Sequence, residues 1–401
     1  MYGDDVQIHQ LIRDADGSYV VLGFYDHVDL GDGPILGDND AFIARLAPDL
    51  QLDWVHTFYA NPAAGLNLLQ SAGMAIDDAG NIVVVGRLDF AAQINFLRVD
   101  GGTGMPIHEL AVDNLAQLVD VAALPGGDVI VLGRTWCAGP GCDNDIRLTR
   151  VAPDGGTVWQ RTLGEGFPNV HPRAIAAAND GTITIAGIVF GTLPLDVNDV
   201  VTPGGSVVVV HMDGTGADLW ATAFPVVDTF PGIGDLVLDP CGGMVVYGEF
   251  SGDIDFGPGL ALSTAGGTDL FLAHIDDSGA TDWAQTFGGV DIEHPGFIAV
   301  DDAGRITLTG QIHSAVFGNV VIDAPGTARN GFVAHLDRDG VAHWAYPMTS
   351  TAMGRSRTAV AAPDGSVLVG GTFTGSTDIG GMQFQSAVQF LPSAYLLEYT
   401  P

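Results

Sequence analysis

Seven times along this chain a short apolar run breaks at an Asp- or Gly-containing turn, resumes as a second apolar run, and stops at a glycine. The closing residues are Gly23, Gly86, Gly133, Gly187, Gly248, Gly310 and Gly370. Their intervals of 63, 47, 54, 61, 62 and 60 residues make the whole chain one repeated unit. A unit of this size, built from short strands, cannot bury its own faces and must stack on its neighbours. That limits the fold to a propeller, a solenoid or an array.

The first half of a unit is clearest in Met74–Gly86, where two apolar runs flank a turn of hairpin chemistry. Leu11–Gly23, Ile298–Gly310 and Ala359–Gly370 repeat it. The second half is a strand, an Asp/Gly turn and a strand carrying Trp, as in Asp269–Trp283, Gly331–Trp344, Asp40–Trp54 and Asp145–Trp159. Trp220 joins that series; in the second unit Pro106–Leu110 takes the place of the Trp strand. The pattern predicts an all-β fold, a seven-bladed β-propeller with about four strands per blade. As one domain, its blades fall near 7–60, 61–112, 113–165, 166–226, 227–288, 289–348 and 349–401. The last blade is expected to be incomplete, because its unit stops at Tyr395–Tyr399 before any Trp strand. Tyr2-Gly3-Asp4-Asp5 aligns with Phe287–Val290, the tail of a Trp strand. The body of that strand is thus expected upstream of Met1; otherwise the last blade keeps an edge that can recruit a strand from another chain.

All 14 basic residues are Arg, and of the 48 acidic residues 43 are Asp and five are Glu. Asp suits turns, since its short carboxylate bonds nearby backbone N–H groups, whereas Glu and Lys favour helices. A net charge of −34 argues against nucleic acid and against anionic membrane surfaces, and favours solubility and divalent cations. No run of 18 apolar residues is present to span a membrane, and the N-terminus lacks a basic-then-apolar signal pattern. Cys137 and Cys142 enclose a four-residue loop suited to a disulfide, which points to an oxidising compartment and adds about 2 kcal/mol on the chain-entropy model. Cys241 is expected to be a lone thiol.

Taken together, the Asp-x-x-Gly-Asn turn, the Asp-led third strand, the Asp-x-x-Gly turn before Trp and the Thr286–Gly289 ending resemble the SBBP-type β-propeller repeats of bacterial secreted and cell-surface proteins. Phe250–Gly257 is also typical of them, and the resemblance covers nearly the whole chain. It implies a module outside the cell or on its surface, and it brings no catalytic residues to transfer. The position where the family usually has Lys holds Arg45, Arg98, Arg150, His211, His274, His335 and then Glu398. On separate outer strands these side chains cannot converge, and each is expected to pair with the Asp of its own turn, such as Asp276 or Asp337.

Two further sets bear on ligands. Asp29, Asp196, Asp255 and Asp378 recur between the second and third strands, and Asp14 and Asp16 share one turn; Asp14, Asp16, Asp29 and Asp255 are the candidates for calcium. None has the spacing of a defined calcium loop, and turn duty is the competing reading. On the first strands, alternation directs Gln10, Asp120 and Asp235 to the channel, and Gln70, Gln117, His171, His294 and Arg355 to its mouth. Such a mouth suits a sugar or a small anion.

Catalysis finds no signature: the Glu residues are isolated, no G-x-S-x-G elbow occurs, and the turns before Trp do not match the docking motifs of quinoprotein dehydrogenases. The sequence therefore favours a non-enzymatic structural or adhesive scaffold without a cofactor, binding a protein partner or copies of itself. Apolar residues between strands, such as Phe317, Ile322 and Phe384, are the contact surface in that reading. A carbohydrate- or small-ligand-binding propeller is the alternative, and a hydrolase or lyase the third reading.

Overall fold

A computed structural model describes residues 2–4, 6–29, 34–58, 73–86, 95–112, 115–135, 145–164, 170–227, 231–323, 329–379, 382–386 and 392–400. Among them the regular structure is all strand, without a helix. In the fifth unit Gly232–Leu238, Met244–Phe250, Asp269–Ile275 and Thr281–Phe287 form one antiparallel meander. The first strands of successive units are Gln7–Arg13, Gly73–Ile76, Leu115–Ala123, Val170–Ala177, Gly232–Leu238, His294–Val300 and Met353–Ala361. Each touches the next, and Met353–Ala361 returns to Gln7–Arg13, so the sheets stand around a central axis in a propeller-like array. The N–H of Leu11 donates to Thr358 Oγ1 at 3.0 Å across that return.

The closing glycines have a steric cause. A Cβ on Gly248 would overlap the carbonyl of Gly232 and the ring of Phe271, and one on Gly310 would overlap the carbonyl of His294. First strand, second strand and a fully buried third-strand Phe thus meet at a point with no room for a side chain. Successive sheets share the core: Val245, Tyr247 and Leu272 of one unit pack with Ile298, Leu308 and Phe332 of the next.

Neighbouring sheets are also strapped at the rim. The hairpin Asp253–Ser263 adds to the end of the preceding sheet, Val226 pairing with Ile254. The hairpin Ser314–Asp323 covers the preceding sheet in the same way, Phe317 stacking on Phe287 at 5.1 Å. Phe317 and Ile322, expected on a contact surface, are therefore core residues, and Phe384 is exposed. Tyr2–Asp4 pairs with His27–Asp29 as the tail of a fourth strand would, and Val6 N–H reaches Pro392 O at 3.1 Å. Ser393–Tyr399 pairs with Val367–Thr374 on one side, and among the described residues no strand lies along its other edge.

The Arg/His series serves the hairpin between the first two strands rather than Asp276 or Asp337. Arg45 binds Asp14 and Asp16 at 2.9 and 2.6 Å, Arg150 binds Asp128 at 2.6 Å, and His274 lies 3.3 Å from Asp239. Asp14 and Asp16 are thus committed to an arginine, and Asp255 accepts from Gly257 N–H at 2.9 Å. Among the described residues no three His, Cys, Asp or Glu are grouped as metal ligands. The side chain of Asp29, together with Gln70, Cys137 and Cys142, lies outside the described residues. Cys241 is a free, exposed thiol.

Candidate anion-binding cavity

The first strands of a propeller line its axis, so their alternation decides what the channel presents. In these strands the register against the second strand slips between Ile8 and Gln10, Leu118 and Asp120, Pro172 and Ala174, Ile233 and Asp235, and Ser356 and Thr358. Each slip is a β-bulge, and a bulge turns one extra residue toward the axis. The bulged residues His9, Val119, Arg173, Gly234 and Arg357 all line one cavity of about 810 Å³. The wall two residues earlier carries Gln117, His171, Gly232, His294 and Arg355. Arg134, Glu249 and Gln311, each one residue after a closing glycine, complete it with Arg329.

Gln117, His171, His294 and Arg355 are thus brought together as the sequence predicts. Asp120 and Asp235 are not part of the wall, because strict alternation ignored the bulge before them. They clamp neighbouring sheets instead. Asp120 accepts from Val121 N–H at 2.8 Å and from Ile175 N–H of the next unit at 3.1 Å. Asp235 does the same with Leu236 at 2.8 Å and Ile298 at 3.0 Å. Burial pushes their carboxyls up to about 7 and about 8, against the pull of the backbone bonds. Gln10 belongs to this clamping position, its amide reaching Met74 O at 3.4 Å.

Five of the chain's 14 arginines line the cavity, and Glu249 is the one carboxylate among the lining residues. Arg45, Arg98, Arg150, Arg161 and Arg305 all reach an Asp, whereas Arg134, Arg173, Arg329 and Arg355 form no ion pair among the described residues. The Nε atoms of Arg134 and Arg355 are buried without a hydrogen-bond partner. Burial, then repulsion from Arg355, lowers Arg357 to about 9; Arg134 is lowered by burial and then by Arg173. Burial and the charges of Arg134 and Arg173 hold His171 below its ordinary value, which leaves it neutral at pH 7 as a proton acceptor. His294 Nδ1 lies 2.8 Å from Glu249 Oε2, and its Nε2 lies 2.8 Å from Arg329 Nη1. Because a guanidinium can only donate, Nε2 accepts and Nδ1–H donates to Glu249.

An arrangement of guanidinium forks and a neutral imidazole holds carboxylate or phosphate groups and can accept a proton from what it holds. Sequence reasoning missed Arg134, Arg173, Glu249, Arg329 and Arg357. The position after each closing glycine was a readable signal for Arg134 and Glu249; the bulge hid Arg173 and Arg357.

No protein-family model matches the chain, and no curated protein matches it. Among solved structures, the quinohemoprotein alcohol dehydrogenase of Comamonas testosteroni aligns with 100% of this chain and 76% of its own, at TM-score 0.51 and 10% identity. A puromycin hydrolase aligns with 98% of this chain at TM-score 0.51 and 12% identity, over 52% of its own length. The Pan2 WD40 domain of Neurospora crassa aligns with 77% of this chain at TM-score 0.45 and 12% identity. At such identity the likeness to the first two shows the fold alone, a propeller-like one. It also corrects the expectation of a chain that is not an enzyme. The alcohol dehydrogenase and the puromycin hydrolase, both at TM-score 0.51, are enzymes, so missing motifs exclude no catalysis on this architecture.

Proposed function

We propose that the chain is a seven-bladed β-propeller whose axial cavity binds a small organic anion. The observation that carries this reading is the set of four cavity arginines without an ion pair, in a chain whose acids outnumber its bases by 34. Aspartate is plentiful in the turns, yet among the described residues none forms an ion pair with these guanidiniums. Buried like charges cost free energy, and a bound carboxylate or phosphate would offset that cost. The volume of about 810 Å³ lies in the range of small-molecule sites. The glycan reading of the channel mouth narrows accordingly to acidic sugars. The SBBP-like repeats support placing the module outside the cell.

Thermal unfolding with and without citrate, galacturonate, glucose 6-phosphate and glucose tests the proposal. At about 100 times Kd a bound anion should stabilise the fold by about 2.7 kcal/mol, a rise of a few degrees. Glucose should leave the midpoint unchanged, and Arg134→Gln with Arg355→Gln should abolish the rise. Equal midpoints with every anion at millimolar concentration would overturn the reading.

A further inference from the structure

The five arginines do not form one cluster. Arg134 is the penultimate residue of the strand Val129–Thr135 of the third unit, and Arg173 stands with His171 on the first strand of the fourth. These three act on one another electrostatically. Arg355 and Arg357 share the first strand of the seventh unit, and Arg355 lowers Arg357. Neither group perturbs the other, whereas Glu249 acts on Arg173 and on Arg355 alike. In the cycle of first strands, Val170–Ala177 and Met353–Ala361 are three steps apart one way and four the other, hence on opposite sides of the axis.

Between the poles the fifth arginine, Arg329, is held on His294 at 2.8 Å beside Glu249, above a floor of glycines. Gly232, Gly234 and Gly296 line it in close quarters: a Cβ on Gly234 would stand 2.7 Å from Gly296 O, and one on Gly232 2.7 Å from Glu249 Cγ. Glu249, hydrogen-bonded to His294, stands along this trough. Its carboxylate disfavours a negative charge in the middle of the ligand and accepts hydrogen bonds from hydroxyl or amino groups there.

We infer that the ligand of the axial cavity is a small organic dianion, its two acidic groups at opposite ends of a hydroxyl- or amino-bearing body, one for each arginine pole. The inference rests on the anion-binding reading and adds the number and placing of the charges. Two poles holding one molecule act as a bivalent clamp, so the second acidic group binds at a high effective concentration. Carboxylates and phosphates share the required chemistry.

Titration calorimetry on the whole chain separates the possibilities with two series: galacturonate against digalacturonate, and glucose 6-phosphate against glucose 1,6-bisphosphate. In at least one series the doubly charged probe is expected to bind about tenfold or more tighter than its singly charged partner. Arg134→Gln or Arg355→Gln alone should bring the dianion to within about threefold of the monoanion, while costing the monoanion about threefold or less. The series that responds tells carboxylate from phosphate. Equal affinity of mono- and dianion in both series, or single variants that weaken both alike, would overturn the two-pole clamp and leave anion binding standing. Absence of binding by all four probes would overturn both. Cooperative thermal unfolding of each variant guards against loss of fold.

Discussion

Glu293 and Asp269 are fully buried carboxyl groups that act on each other, and one oxygen of each, Oε1 and Oδ1, has no hydrogen-bond partner. Burial, reinforced by the charges of Asp269 and Asp291, pushes Glu293 up to about 8. The folded chain therefore keeps a proton that an unfolded glutamate gives up near about 4.3. Between those values the native state binds more protons than the unfolded one, so this pair's contribution to stability falls as pH rises from about 4 to 8. Glu293→Gln keeps the shape, supplies an N–H to Asp269 and removes the linkage. The variant should be more stable than the parent at pH 8.5 by about 1–3 kcal/mol and close to it at pH 4.5, measured by urea unfolding. A variant less stable at pH 8.5 would show that the pair is held by something other than a shared proton. Residues of this kind were not legible in the sequence, which shows Glu293 as one isolated acid. The turn aspartates were: Asp276 Oδ1 accepts from Ser278 and Ala280 N–H at 2.9 Å each, the local duty read from its Gly-containing turn.

At the scale of strands and turns, each Trp strand docks on the next unit. The Trp220 indole N–H donates to Asp277 O at 2.9 Å, and a Cβ on Gly279 would stand 2.8 Å from its ring. Trp54 meets Gly104 and Trp159 meets Gly216 in the same manner; His108 and Leu110, from the unit without a Trp, meet Gly155. The equivalent turn of the first unit holds Leu50, at φ 64° the one non-glycine residue with positive φ among those described, and it packs against the core around Leu11 and Leu46. Gly279→Leu, a copy of residue 50, should therefore destabilise by more than about 2 kcal/mol, since it adds a clash to left-handed strain. Trp220→Ala in the same chain should recover part of that loss, a coupling that a double-mutant cycle measures. Additive losses would show that indole and glycine do not share one space. The repeat, the strand order and the Trp register could be read in advance because period and turn chemistry are local. The bulges could not, because a bulge is a relation between two strands. The slips before Asp120, Ala174, Asp235 and Thr358 set the clamping residues Asp120 and Asp235 apart from the wall residues Arg173 and Arg357.

For the whole molecule, a net charge of −34 argues against nucleic acid and anionic membranes, while the cavity is locally basic. Composition gives the sum of charges, whereas a ligand meets their arrangement. The two act at different ranges. At about 0.01 M salt the Debye length is about 30 Å, and an approaching anion feels the acidic surface as a whole. At about 0.1 M it is about 10 Å, which screens the surface while the guanidiniums still act at contact distance. The association rate of a small dianion should therefore rise, by roughly two- to tenfold, between 0.01 and 0.1 M salt. A site on a basic protein would show the opposite, a rate that falls with added salt. Stopped-flow mixing with digalacturonate or glucose 1,6-bisphosphate, followed through tryptophan fluorescence at stepped concentrations of a weakly binding salt, measures it. A rate that falls steadily over that range would mean that the arginine field reaches beyond the cavity mouth and overrides the acidic exterior. In that case the exterior charge would serve solubility alone and take no part in selecting the ligand.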